Sequence, residues 1–273
     1  MQEPVSPTPT SVFRDLVDAG DYSVDRLRTR GIALTSSLRD PACVVHSVFE
    51  GRVPGVRWLE ATWSGGVVRA WITRVVVNED QVIYEGDLVD YRTGAKVGRI
   101  IQSFHRPPGG TLIAFNDLFQ ITSDVHKGKG SSKAMWKQII QVYPLLGATS
   151  VFLNADWEGK NAWARFGVDW AFPEEQIPLA EAAFFEFLVR HGVAFNLASR
   201  VASREAIRPW TISDTDLSGI RAGARYFDGT KVVTARNLPI GRAFLLSWNN
   251  WDGVQSLVPG SKSFQRAKEY FEL

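Results

Sequence analysis

Three features of this chain predict an α/β fold with a mostly antiparallel sheet flanked by helices. Four successive runs, residues 67–77, 82–91, 96–106 and 111–121, are rich in β-branched and aromatic residues, which suit a pleated, half-buried surface. Turn sequences separate them: Asn78-Glu79-Asp80, Arg92-Thr93-Gly94 and Pro107-Pro108-Gly109-Gly110. Short turns of that chemistry join antiparallel neighbours, so the runs form a meander. A glycine loop and an amphipathic stretch over 131–143 follow, and the apolar residues of that stretch recur at helical spacing.

The remaining elements follow in chain order. Residues 1–11 are polar and proline-rich and read as a disordered tail. Residues 12–30 suggest a helix, with Val12, Phe13, Leu16 and Val17 on one face. The stretch 31–65 has no clear period, because Gly51, Pro54 and Gly55 break its short apolar runs. Beyond the meander, Met135, Trp136, Ile139, Ile140 and Tyr143 share one helical face, and Pro144 and Gly147 end the helix. Residues 148–154 read as a buried strand, 161–166 as a short helix stopped by Gly167, and 168–172 as another strand. Helices are expected over 173–190, 193–207 and 261–271, and short strands near 231–234 and 243–247. The expected partition is a tail (1–11), a core with its N-terminal extension (12–172) and a C-terminal helical and mixed extension (173–273). The two flanks could alternatively build a degenerate second copy of the core fold.

Composition narrows the function classes. Of 273 residues, 45% are hydrophobic and 22% charged, as for a packed globular core. A net charge of +2 and the lack of a long basic block give nucleic-acid binding little support. No apolar stretch approaches the roughly 20 residues of a membrane span, and the N-terminus lacks a signal-peptide pattern, so a cytoplasmic protein is expected. The one cysteine, Cys43, lies in the run Ala42-Cys43-Val44-Val45 and is expected to be a buried small hydrophobe. It rules out an internal disulfide and a multi-cysteine zinc site, and no metal site is expected, since His46, His105 and His191 show no ligand spacing.

The segment Val125-His126-Lys127-Gly128-Lys129-Gly130-Ser131-Ser132 carries the most chemistry. Two glycines one residue apart let the backbone turn and approach a ligand closely. The helix start beyond them offers unpaired N–H groups and a positive dipole end. Strand, glycine loop and helix together make an anion seat suited to a phosphate or diphosphate, and Lys127 and Lys129 add positive charge there. Ser131 and Ser132 can cap the helix or donate to phosphate. His126 either contacts a phosphate or is an exposed loop histidine.

This order of parts resembles the GNAT superfamily of N-acetyltransferases, in which a meander leads to a Gln/Arg-x-x-Gly-x-Gly/Ala loop and a helix. Both glycines, Gly128 and Gly130, match, while Val125 stands in place of Gln or Arg. The later segment Trp163-Ala164-Arg165-Phe166-Gly167 is similar in layout to the family's closing Tyr-x-x-x-Gly-Phe pattern. The resemblance covers roughly residues 70–172. It implies acetyl-CoA as cofactor, its diphosphate held by the loop amides, and an amine as acceptor, possible acceptors being a peptide N-terminus or peptide natural product. Two departures bear on the chemistry: Trp163 stands where a tyrosine commonly protonates the leaving thiolate, and Asp156 near the usual cofactor-contacting asparagine.

Acetyl transfer to an amine also needs a base. Asn116 and Asp117, on the strand before the loop, are the nearest candidates; a carboxylate among Phe115, Leu118 and Phe119 can have a raised pKa. Asp117 could instead cap a turn or pair with an arginine. Glu85 and Asp87 share a strand face and supply either a base, an acidic patch for a cationic amine, or only a solvated surface. Trp157, Trp163, Trp170, Trp248 and Trp251 read as core or as the wall of an acceptor groove. A non-catalytic module binding CoA or a protein, and an acyl-carrier-dependent acyltransferase or decarboxylase, are the alternatives. The arginine-over-lysine balance and the tail suggest a GC-rich bacterial source.

Overall fold

The computed structural model describes residues 24–155, 159–171, 177–205, 217, 219–228, 231–248 and 251–273. Expectations placed on 1–23, Asp156, Trp157 and Asn249-Asn250 lie outside those residues. The chain divides into two units, the first ending at Val151 and the second starting at Phe152.

The first unit opens with α1 (Val24–Thr29), β1 (Ala33–Ser36), α2 (Pro41–Val48) and α3 (Val56–Thr62). These resolve the stretch whose sequence had no clear period. Asp40 caps α2 by accepting from the Cys43 N–H at 3.1 Å, and Pro41 starts its first turn. Val45, Val48 and Phe49 face the core, whereas Cys43 is exposed. The expectation of a buried thiol is therefore wrong: in a helix of this phase the inward positions are 45 and 48, and Cys43 falls on the outer side.

The meander follows as β2 (Val68–Val77), β3 (Gln81–Asp90), β4 (Lys96–His105) and β5 (Leu112–Ile121), antiparallel throughout. β1 pairs parallel to the end of β2, from Ala33 opposite Arg74 to Ser36 opposite Val77. Where β1 runs out, the open edge of β2 is met by a side chain: the Ile72 N–H donates to Glu60 Oε1 at 3.0 Å. Burial raises the pKa of the Glu60 carboxyl, against the pull of the Ile72 N–H and of Arg30, whose Nη2 lies 3.2 Å away.

Burial alternates along β3, with Val82, Tyr84 and Leu88 inside and Glu85 and Asp87 on the half-exposed face. The inner face is covered by aromatic contacts: Phe49 on Phe104 at 5.1 Å, Trp63 on Tyr84 at 5.7 Å and Phe104 on Tyr143 at 5.1 Å between ring centroids. Helix α4 (Ser131–Val142) buries Met135, Trp136, Ile139 and Ile140, the face expected from their spacing. A 3-10 turn (Tyr143–Leu146) closes at Gly147, whose φ of 84° is left-handed. β6 (Ala148–Ala155) then starts beside the start of β5, with Thr149 Oγ1 3.5 Å from the Leu112 carbonyl oxygen. The two strands thus run in the same direction with α4 as their crossover.

In the second unit, α5 (Gly159–Arg165) precedes β7 (Asp169–Trp170), and α6 (Ile177–Arg190) precedes α7 (Phe195–Glu205). β8 (Arg221–Phe227) and β9 (Val232–Pro239) form an antiparallel ribbon. α8 (Ile240–Ser247), β10 (Trp251–Ser256) and α9 (Lys262–Phe271) complete the unit. Residues 243–247, expected as a strand, are helical: Ala243, Phe244, Leu245 and Leu246 are all buried, and a short run apolar on every side has no period to distinguish strand from helix. β10 pairs antiparallel with β7, and Gly167 leaves the space in which α9 packs, a Cβ there lying 2.8 Å from the Ala267 nitrogen.

The expected class, α/β with a mostly antiparallel sheet and flanking helices, is what the elements form. Among the described residues no helix is long and apolar enough to cross a membrane.

Candidate functional site

The glycine loop begins where β5 ends. Thr122 and Ser123 donate their N–H groups to the Val97 carbonyl at 2.8 and 3.3 Å. The chain then folds on itself, the N–H groups of His126 and Lys127 both donating to the Ser123 carbonyl, at 3.0 and 3.1 Å. Gly128 and Gly130, expected to let the backbone turn, adopt φ of 70° and 82°, in the left-handed region. A Cβ added to either would meet nothing within 4 Å. Gly130 also caps α4, and its carbonyl accepts the first helical bond, from Ala134 at 3.0 Å. Among the described residues no acceptor takes the N–H groups of Gly128, Gly130, Ser131 or Ser132. Ser131 is 3% exposed, and its hydroxyl has no partner among the described residues. The N–H groups of Ser131 and Ser132 are orphan donors of a helix N-terminus, and the Ser131 hydroxyl lies 3.6 Å from where a Cβ on Gly66 would sit.

The other loop residues divide by role. Val125 is 75% exposed and presents an apolar side chain to solvent. Lys127 Nζ lies 3.1 Å from Asp124 Oδ1, so its charge is already balanced, whereas Lys129 is exposed. His126 is tied down: Nδ1 meets Ser123 Oγ at 2.8 Å and Nε2 meets Asp90 Oδ2 at 2.7 Å. Its side chain is 12% exposed, so it is a fastened loop histidine rather than an exposed one.

Asn116 and Asp117 are separated by a β-bulge. Ile101 pairs with Leu118, but Gln102 pairs with Asn116, which leaves Asp117 as the extra residue of β5. Asn116 turns into the core, 3% exposed, where its Oδ1 accepts from Gln102 Nε2. Gln102 Oε1 accepts from the Tyr143 hydroxyl at 3.2 Å, and that hydroxyl accepts from Trp63 Nε1 at 2.7 Å. Asn116 thus belongs to a buried polar chain and is not placed to take a proton from a substrate. Asp117 stands on the opposite face and accepts from the Ser103 hydroxyl at 2.7 Å. The residue is exposed, yet partial desolvation pushes its carboxyl above the ordinary range, with the Ser103 bond pulling the other way.

Glu85 shares the sheet face of Asp117 but lies two strands away, about 10 Å by strand spacing, since Ile101 stands between Glu85 and Leu118. Its carboxylate lies 3.5 Å from Arg74 Nη1, and that of Asp87 lies 2.6 Å from Lys96 Nζ. Both acids are therefore neutralised on a solvated face. In the second unit Trp163 is 6% exposed and packs edge-on against Phe166 at 5.6 Å. Among the described residues no group of three or more His, Cys, Asp or Glu could hold a metal ion.

Several participants have little sequence signal. Gly65 and Gly66 lie against the start of α4, where a Cβ on Gly65 would sit 2.7 Å from the Ser131 carbonyl oxygen. The pair Gln102-Ser103 inside an apolar strand was readable as an anomaly, but its partners Asn116 and Asp117 were not. Asp90 contacts His126 across 36 residues. No family model, curated protein or solved structure matches the chain.

Proposed function

We propose that this protein is an acyl-CoA-dependent N-acyltransferase, taking an acetyl group from acetyl-CoA to an amine, with a GNAT-like first unit. The observation that carries the reading is the seat at the start of α4. Among the described residues, two left-handed glycines lie there beside N–H groups that no acceptor takes, and buried Ser131 carries a hydroxyl with no partner. That donor set fits a diphosphate. The order of a meander, a bulged strand, a glycine loop and a crossover helix supports the same reading.

When bound, the coenzyme supplies an acyl thioester. The amides of Gly128 and Gly130 and the Ser131 hydroxyl would hold its diphosphate, with exposed Lys129 adding charge. Asp117 would be the base: its raised pKa favours receiving the proton that the amine sheds as the N–acyl bond would form and the thioester C–S bond break, with CoA leaving as the thiolate. The bulge gives its carboxylate a position off the regular ladder, on the face away from the core. The acceptor class is an amine, such as a peptide N-terminus.

One observation favours a second reading, a non-catalytic CoA-binding module: Trp163, which the resemblance sets against the family's proton-donating tyrosine, is buried, and an indole N–H is no useful acid.

The test is calorimetric titration with acetyl-CoA of the native protein and of Gly128→Glu/Gly130→Glu. The space around both glycines admits the side chains, while their left-handed backbone strains any residue with a Cβ, so the variant perturbs the loop backbone as well as its charge. Binding that is lost in the variant supports the reading. No binding by the native protein refutes it. Binding with no turnover of any amine in a screen selects the module.

A further inference from the structure

The glycine loop needs something to hold it, since two open left-handed glycines leave its backbone many alternatives. The side chain that ties it to the neighbouring β3–β4 turn is His126, and the anchor is Asp90, the last residue of β3. That anchor is itself rigid. The Asp90 N–H donates to the Ala95 carbonyl at 2.9 Å, its carbonyl accepts from Gly94 at 2.8 Å, and its Oδ1 accepts from the Arg92 N–H at 2.7 Å. The imidazole meets the other carboxylate oxygen, Oδ2.

One proton position follows from the partners. A carboxylate faces Nε2, so that nitrogen carries the proton donated to Asp90 Oδ2, and the Ser123 hydroxyl can either donate to Nδ1 or accept from it. The bond from His126 holds the Asp90 carboxyl below its ordinary range, followed by the Arg92 N–H. Asp90 is 8% exposed, so water competes little for the contact.

Serine, histidine and aspartate joined in this way also match the bonding of a hydrolase relay. The local turn already accounts for the serine contact, because the His126 and Lys127 N–H groups fold back onto the Ser123 carbonyl. A relay needs oxyanion donors aimed at a site beside the hydroxyl, and the loop's donors belong to the seat at 128–132. The trio reads as a fastening.

We infer that Asp90 is a positioning residue for the anion seat, acting through His126 to hold the amides of Gly128 and Gly130 where a diphosphate meets them. This rests on the coenzyme reading. It implies that coenzyme affinity is tuned from the β3–β4 turn, by a residue with no need to touch the ligand. A loop that spends only part of its time in the competent arrangement binds more weakly by that fraction.

The experiment is calorimetry with CoA on the native protein, Asp90→Ala, Asp90→Asn, His126→Phe and the double variant Asp90→Ala/His126→Phe. Amide exchange over 122–134 is followed in the absence of ligand, and thermal unfolding is recorded for each. Lys96→Ala, at the same turn but bonded to Asp87, is the control. Expected are a loss of about tenfold or more for Asp90→Ala, a smaller loss for Asp90→Asn, and a double variant no weaker than the worse single one. Exchange should accelerate at 124–132 and not in β2. A purely structural role would instead lower the unfolding temperature and speed exchange across the unit, with additive losses, and would overturn the inference. So would native affinity in Asp90→Ala. No binding of CoA by the native protein would refute the coenzyme reading and the seat's role with it; the exchange data would then report only whether Asp90 fastens the loop.

Discussion

Tyr143→Phe removes one oxygen from the centre of the buried chain Trp63–Tyr143–Gln102–Asn116. The ring stays, so its packing on Phe104 at 5.1 Å is retained and the change isolates the polar term. The lost hydroxyl accepts from Trp63 Nε1 at 2.7 Å and donates to Gln102 Oε1 at 3.2 Å. Trp63 is 1% exposed and Gln102 0%, so water cannot replace it at either. Each stranded group costs about 1–3 kcal/mol, and two of them about 2–4 kcal/mol if the core relaxes partly. That is a large part of the roughly 5–15 kcal/mol that holds a domain together. The assay is equilibrium urea unfolding followed by tryptophan fluorescence, with an unchanged m-value and a lower midpoint expected. Adding Trp63→Phe removes the donor as well, so the double variant should lose less than the sum of the two single ones. A loss under about 0.5 kcal/mol for Tyr143→Phe, within ordinary surface noise, refutes the claim that the hydroxyl satisfies both neighbours. The same phenol has an alkaline signature. Burial raises its pKa above the ordinary 10.0, so the unfolded chain ionises first. The native state binds more protons over that range, so stability falls as pH rises past the unfolded value, and Tyr143→Phe removes that contribution.

Asp117→Asn should reduce turnover by about 100-fold or more with little change in CoA affinity, as expected for loss of a general base; unchanged turnover would eliminate Asp117. Ser103→Ala removes the bond that lowers the Asp117 pKa, so the acid limb of the rate–pH profile should move to higher pH, and a move to lower pH would contradict the assignment. The Asp117 charge itself costs stability in the native state: with its folded pKa raised, stability falls as pH rises through the window between unfolded and folded values. Asp90 has the opposite sign, since its lowered pKa contributes stability above the unfolded value that is lost as pH falls through the folded one; acid should lower loop amide protection, measured against the intrinsic exchange rate at each pH, in the native protein and not in Asp90→Asn. Gly98→Ala places a Cβ 2.0 Å from the Gln120 carbonyl oxygen and should prevent normal β4–β5 pairing, read as insoluble or non-cooperatively unfolding protein.

What was readable in advance were the features that depend on near neighbours. Period-2 runs and their turns marked β2 to β5, and the spacing of Met135, Trp136, Ile139, Ile140 and Tyr143 marked the inner face of α4. Gly128 and Gly130 announced a tight turn, which the structure makes with both in the left-handed region. Where the local pattern was ambiguous, expectation and structure parted: Cys43 lies on the outside of α2, and 243–247 is helix.

By itself, then, the sequence determined the meander, the glycine turn and the helix behind it, because propensity and period act over a few residues. Tertiary structure decided what the polar residues do. That Asn116 is buried while Asp117 projects to the other face depends on one register shift against β4. That His126 fastens the loop depends on a carboxylate 36 residues earlier in the chain. That Glu85 pairs with Arg74 depends on the neighbouring strand. Hydrogen bonds and ion pairs act over about 3 Å, and only the fold brings residues distant in sequence within that reach.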